Sequence, residues 1–292
     1  MVLVDFNGIS IGSIMGQLNR GEKLSERLVK HIILNNLRSY RVKYPEEDYG
    51  KMVICCDSHS WRKDVFPQYK ASRTTNREKD KTDWDTIYDL LDKTLSDLAR
   101  NFPYAVIKIE KAEADDIIGA LANNTEVIQE EVVIISADKD FIQLQTGNVT
   151  QWSPFQQKMV RAEEGAERYL FDHTMKGDSS DGVPNVMSPD HSFTHHIRQV
   201  PMRKVLIEEW WEGRDNLKQV MPPEVFRNYC RNKEMIDLKR TPQEIIDESI
   251  EKYESYKYID KGNILTYLIE NDMKLLIESA GCLLYTSPSP RD

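Results

Sequence analysis

Acidic residues recur where short apolar runs stop. Val2-Leu3-Val4 ends at Asp5, Met52-Val53-Ile54-Cys55-Cys56 at Asp57, and Val132-Val133-Ile134-Ile135 at Ser136-Ala137-Asp138. Asp140 follows two residues later, Glu113-Ala114-Asp115-Asp116 opens a helical pattern, and Asp178 and Asp181 lie in the turn-rich stretch 177–185. Singly, each acid has an ordinary explanation. Asp5 or Asp57 could cap a helix, Glu113, Asp115 and Asp116 could complement a helix dipole, and Asp178 and Asp181 could serve a turn. The set is more specific, because independent loop acids have no reason to recur at successive strand ends with paired acids beside them. If they converge, like charges drive carboxyl pKa values up unless divalent cations neutralise them. All-oxygen ligation suits Mg²⁺, with Mn²⁺ able to substitute. Two such ions about 3.5–4 Å apart can activate a water and stabilise both the attacking and the leaving oxygen of a phosphodiester.

The clearest basic stretch follows Asp57 directly. Residues 58–73 interleave Arg62, Lys63, Lys70 and Arg73 with Trp61, Phe66 and Tyr69, and the run continues through Arg77, Lys79 and Lys81. Interleaved cations and aromatics offer phosphate contacts together with base stacking, as in the grip on a single strand. Lys70 and Arg73 share one face if the segment is helical, placed to draw in a scissile phosphate and offset transition-state charge. The plainer alternative is a solvated loop whose aromatics pack inward.

Both groups of residues need a scaffold that brings strand ends together. The apolar runs, with a further one at Tyr104–Ile109, read as buried strands. Apolar spacing over Leu24–Leu37 and over Ile117–Ala122 predicts helices between them. Alternating strands and helices imply a parallel sheet covered on both faces, whose strand C-termini share one edge. The expected class is therefore α/β. A soft boundary near Val160 separates residues 1–160 from a mainly helical region, 161–283. There Pro222-Pro223 starts one helix, and Thr241-Pro242 supplies an N-cap followed by proline for another. Residues 284–292 continue no preceding pattern and read as a non-native tail.

Composition narrows the setting. The chain has 292 residues, with 39 Lys plus Arg against 48 Asp plus Glu, a formal charge of −9. This argues against coating nucleic acid by bulk charge while leaving a local basic patch open. No apolar run approaches the ~20 residues of a membrane span. Four cysteines without dense spacing fit a reduced, cytoplasmic compartment, no secretory signal is visible, and no seam for self-association stands out, so a monomer is expected.

Taken together, VLVDFNG at 2–8, WRKDVFPQYKASR at 61–73, EADD at 113–116, SADKDF at 136–141, QWSP at 151–154, GDSSDGVPN at 177–185 and FRNYCRNKEMIDL at 226–238 resemble the 5′-nuclease (flap endonuclease) superfamily. The branch most resembled is that of the T-even-like phage ribonucleases H. The resemblance implies a PIN-like α/β nuclease core, a helical arch formed by residues 58–85, and a divergent helix-hairpin-helix-like region that grips DNA. It implies 5′→3′ exonuclease, flap and ribonuclease H activity on DNA and RNA–DNA hybrids, removing RNA primers during phage replication in the host cytoplasm. A single-strand-binding protein or polymerase clamp is the kind of partner such a role suggests. By resemblance, Asp5, Asp57, Glu113, Asp116 and Asp138 fall on a first metal site and Asp140, Asp178 and Asp181 on a second, with Asp115 between them. Lys70 and Arg73 match the arch cations, and Tyr69 is a candidate stacking residue. Arg62, Lys63, Arg77, Arg198, Arg203 and Lys204 complete the expected nucleic-acid contacts. Two departures stand out. Residues 186–204 replace the Gly-rich hairpin usual in the superfamily, and Met1 lies only four residues before Asp5, as though a longer natural N-terminus preceded it.

Other classes fit less well. A haloacid-dehalogenase-like phosphatase would need Asp-x-Asp after the first strand, where Asn7 stands instead. A catalytically silent branched-DNA-binding protein has no use for so many acids, and a dinucleotide enzyme would need a GxGxxG that is missing.

Overall fold

The computed structural model describes residues 1–73, 77, 80, 82–124, 131–256, 263–278 and 280–283. Lys79, Lys81 and the tail at 284–292 lie outside them, as does part of the expected arch. The chain is built around one six-stranded sheet in the order β3-β2-β1-β4-β5-β6. Its strands are β1 (Val2–Asp5), β2 (Met52–Cys56), β3 (Ala105–Lys108), β4 (Val132–Ile135), β5 (Val149–Ser153) and β6 (Lys158–Val160). The first five run parallel, and β6 closes the edge antiparallel to β5. Periodicity does not announce β5 and β6. β5 carries Thr150 and a fully buried Gln151 in place of an apolar run, and β6 has only three residues.

Helices cover both faces, which is why the central strands lack polar alternation. On one face Val2, Val4 and Ile54 meet α1 (Phe6–Leu18), α2 (Glu26–Lys43) and α3 (Trp84–Asn101). On the other, Leu3, Val53, Cys55 and Ile134 meet α4 (Ala114–Asn123). The three glycines of α1 hide its helical character from propensity. Asp5 nevertheless starts it by accepting from Gly8 N at 3.1 Å.

A third apolar core joins α5 (Ala166–Lys176), α6 (Lys204–Glu212) and α7 (Pro223–Ile236) through Phe171, Met175, Ile207, Trp210 and Val225. Later helices return to the sheet. Ile245 and Tyr253 of α8 (Gln243–Ser255) pack on the α4 face, and Ile264, Tyr267 and Leu268 of α9 (Asn263–Glu270) pack on the opposite one. Thr241 does not cap α8 as its sequence suggests; its hydroxyl lies 2.9 Å from both Asp116 Oδ1 and Leu238 O. The segment replacing the Gly-rich hairpin consists of turns held by α7. Asp190 pairs with Arg227 and Arg231, and Asn228 Nδ2 donates to Val186 O at 2.9 Å. Among the described residues no helix is long and apolar enough to cross a membrane.

Candidate active site

The parallel topology carries Asp5, Asp57 and Asp138 to one edge of the sheet, where the start of α4 and the loop after α5 meet them. Asp5 Oδ2 accepts from the Ser136 hydroxyl at 2.7 Å, and Asp57 Oδ1 from Ala114 N at 2.8 Å. Space for Asp5 depends on Gly8, where a Cβ would lie 2.5 Å from Asp5 Oδ2. The Asp138 loop is tied to β5 by the buried Gln151, whose amide donates to Ser136 O at 3.1 Å and Asp138 O at 2.6 Å. Sequence periodicity missed Gln151, although a glutamine inside a strand between two acidic motifs is itself a signal.

Electrostatically these outer acids are crowded. Burial and then the Asp57 carboxylate push Asp5 up to about 7. Asp138 rises to about 6, through desolvation and then Asp140. Asp115 is driven well above the ordinary range by burial, Asp138 and Asp5, and burial also raises Asp57. Buried carboxylates that also face one another are costly to keep ionised unless a cation is supplied.

Behind them lies a second layer with its cations built in. Arg62, 2% exposed, pairs with Asp116 at 2.9 Å and Glu113 at 3.2 Å. Asp116, 0% exposed, also accepts from Trp61 Nε1 at 3.2 Å and from Glu113 N at 2.9 Å. Glu113 further accepts from the Ser60 hydroxyl at 2.7 Å and pairs with Lys70. Burial alone would raise Glu113, but Lys70 and Arg62 hold it down at about 2. The Tyr69 hydroxyl lies 2.9 Å from Glu113 Oε2 and 2.8 Å from Asp181 Oδ2, so its one hydrogen serves one carboxylate at a time. Lys70 Nζ is 3.4 Å from Asp181, which Arg73 also pairs at 2.6 Å. Gly182, in the left-handed region at φ +74°, lets the 178–183 loop approach this segment, since a Cβ there would sit 2.9 Å from Gln68 O.

Burial weighs on three of the expectations. Arg62 and Tyr69, expected to meet nucleic acid, are 2% and 3% exposed and face inward. Asp116, expected on the first metal site, is 0% exposed, and its oxygens face Arg62, Trp61, Thr241 and the Glu113 amide, the position of a brace beneath the site. The inward packing of Trp61, Phe66 and Tyr69 thus follows the plainer of the two readings of the aromatics. Arg73 remains 44% exposed by side chain, and Lys63, Arg77, Arg198, Arg203 and Lys204 are all exposed. Arg77 lies over the Trp84 and Tyr88 rings at 5.5 and 5.2 Å.

The rim adds a residue that sequence reading left out. Asp140, Asp178 and His173 converge in an open cleft of about 530 Å³, which Asp138, Lys139 and Tyr169 also line. A wider cavity of about 810 Å³ continues from there past Lys139, Lys158, Arg161, Lys176 and Lys204. His173 stands five residues before Asp178, on the helix that leads into its loop, and a lone histidine on a helix carries no signal of its own.

Comparisons with known proteins converge on the same site-bearing fold. The model of the 5′-3′ exonuclease N-terminal resolvase-like domain matches residues 26–170, and that of the T4 RNase H C-terminal region matches residues 165–282. Ribonuclease H of Enterobacteria phage T4 is 31% identical over 285 residues, covering 95% of this chain and 93% of that protein. Flap endonuclease Xni of Shewanella sp. (strain MR-4) is 34% identical over 137 residues, 44% of this chain and 49% of its own. The bacteriophage T5 D15 flap endonuclease, solved with DNA and metal ions, superposes with a TM-score of 0.63 at 15% identity, over 87% of this chain and 97% of that one. T5 5′-exonuclease with bound zinc gives 0.62 at 16% identity, over 87% and 98%. With its mostly parallel, helix-covered PIN-like sheet and its T4 RNase H C-terminal region, the chain belongs to the 5′-3′ exonuclease family of phosphodiester hydrolases, in the T4 ribonuclease H branch.

Proposed function

We propose that the protein is a Mg²⁺-dependent, structure-specific 5′ nuclease. It hydrolyses 5′ flaps and RNA–DNA hybrids, and its role is to remove RNA primers and adjacent DNA in phage replication. The observation that carries this reading is the split between crowded, cation-poor carboxylates at the sheet edge and the Lys70–Arg73 pair beside them. Asp5, Asp57, Glu113, Asp115 and Asp138 are the residues that would hold a first Mg²⁺, an ion that their oxygens suit, and Asp140, Asp178 and Asp181 would hold a second divalent ion. When bound, such ions supply water activation and neutralise charge on the phosphate.

The chain's own groups do the rest. Lys70 and Arg73, now held by Glu113 and Asp181, are free to turn toward a phosphate once cations take over those carboxylates, and they offset charge as it develops. Arg62 and Asp116 keep the platform rigid from below. Lys139, Lys158, Arg161, Lys176 and Lys204 line a path for the substrate backbone, with Arg198 and Arg203 on the neighbouring loop. Residues 1–160 form the nuclease unit in this reading and 161–283 the region that grips duplex, acting as a monomer in the cytoplasm. A single-strand-binding protein and a polymerase clamp are the partner types to test.

The deciding experiment is cleavage of a 5′-labelled flap duplex and of an RNA–DNA hybrid in Mg²⁺ and in EDTA. Short 5′ products from both substrates in Mg²⁺ alone are expected. A folded protein that binds the flap and leaves it whole would overturn the reading in favour of a branched-DNA-binding protein.

A further inference from the structure

His173 occupies the last turn of α5 with its ring stacked on Tyr169, centroids 5.7 Å apart and planes 20° apart. Nε2 is buried and makes no well-aligned hydrogen bond, although it points between two carboxylates. Asp140 Oδ1 lies 3.1 Å from it and Asp178 Oδ2 3.7 Å. One ligand atom from each residue falls within 4.8 Å of the others. Ligands at neighbouring positions around an ion with bonds of about 2.1 Å stand roughly 3 Å apart, so these separations suit a shared ion. The Asp178 carboxylate is held by the loop that follows it, and the backbone at Asp140 is fixed by Asp138. Asp178 spends Oδ1 on the Ser180 amide at 2.7 Å, which leaves Oδ2 facing the histidine, and Asp140 N is capped by Asp138 Oδ1 at 3.0 Å. Such supporting bonds orient ligands in metal sites.

We propose that His173 Nε2 is a direct metal ligand, making the Asp140–Asp178 position a mixed nitrogen–oxygen site that prefers Mn²⁺ or a later transition metal over Mg²⁺. This extends the second cation position of the proposed function and rests on that reading for its place beside the substrate. The chemistry follows from the donor: imidazole binds transition ions well, whereas Mg²⁺ favours oxygen and holds its waters. Glutamine or asparagine at 173 would supply oxygen and remove the preference. The remaining possibility is that a protonated His173 simply occupies the position of a cation between the two acids.

The test uses the full chain without nucleic acid, titrated with Mn²⁺ to two equivalents and read by pulsed electron paramagnetic resonance. A ¹⁴N coupling from a directly bound imidazole is expected in the wild type. It should vanish in H173N and H173Q, and calorimetric Mn²⁺ affinity at that position should fall roughly tenfold while Mg²⁺ affinity changes much less. Absence of nitrogen coupling in the wild type at two equivalents would overturn the proposal and leave the protonated-histidine contact. Coupling that survives in whichever variant keeps the wild-type circular dichroism would also overturn it. Flap cleavage is scored separately, so nitrogen coupling in a protein that cannot cleave would sink the nuclease reading and spare the ligand.

Discussion

The acids of this site fall into two layers that obey opposite electrostatics. In the inner layer Glu113 and Asp116 face Arg62, Lys70 and a set of neutral donors, and Glu113 stays ionised down to about 2. In the outer layer Asp5, Asp115 and Asp138 are buried beside other carboxylates, and burial first and the neighbouring charges second push their pKa values up. The residue types are the same and the sequence separation is small, Asp115 and Asp116 being adjacent. For Asp115 and Asp116 what differs is the side of α4 on which each carboxylate emerges. A paired acid contributes to folding, while a crowded one costs stability until a cation arrives.

Substitutions can break that contrast. The largest effect is expected for Asp138→Asn, which should slow flap cleavage by roughly a thousandfold or more while leaving urea stability in EDTA unchanged or higher, because it removes a repelling charge. A wild-type rate in that variant would remove Asp138 from the metal set. Next, Lys70→Met should lower kcat by about 100-fold with little change in substrate affinity, as expected of a group that offsets developing charge. Loss of affinity alone would make Lys70 a phosphate anchor.

Asp116→Ala addresses the inner layer. It leaves Arg62 buried without its main partner and should cost about 3–5 kcal/mol in urea unfolding, where the outer-layer variant costs nothing. A mild Asp116→Ala would mean that the inner layer is not a structural brace.

The smallest effect sharpens the outer layer through pH. An acid whose folded pKa is raised binds more protons in the native state, so its contribution falls as pH rises from the unfolded value toward the folded one. For Asp5 that window runs from about 4 to about 7. In EDTA, stability should therefore decline across this window more steeply in the wild type than in Asp5→Asn. Mn²⁺ or Mg²⁺ should restore the wild type most at the alkaline end. Parallel slopes for the two proteins would show that Asp5 is not crowded.

Much of this organisation is readable from the chain alone. β1, β2, β3 and β4 announce themselves as apolar runs because a parallel strand is buried on both faces, and acids at their ends stand out against that background. α1, β5 and β6 do not, since glycine packing, a buried glutamine and three-residue length erase the periodic signal. The same limit applies to the basic segment. Its cations suggest a surface that meets nucleic acid, yet Arg62 and Tyr69 face inward while Lys70 and Arg73 ring the acids.

The sequence by itself determined the α/β class, the collection of strand-end acids on one edge and the cations accompanying them, because these follow from local patterning and from the geometry of parallel sheets. Only the tertiary structure decided which acid is paired and which is crowded, that Asp116 braces while Asp115 faces its fellow acids, and that His173 turns its nitrogen between Asp140 and Asp178. Burial and charge pairing depend on which side chains arrive from distant segments, and no spacing along the chain encodes that.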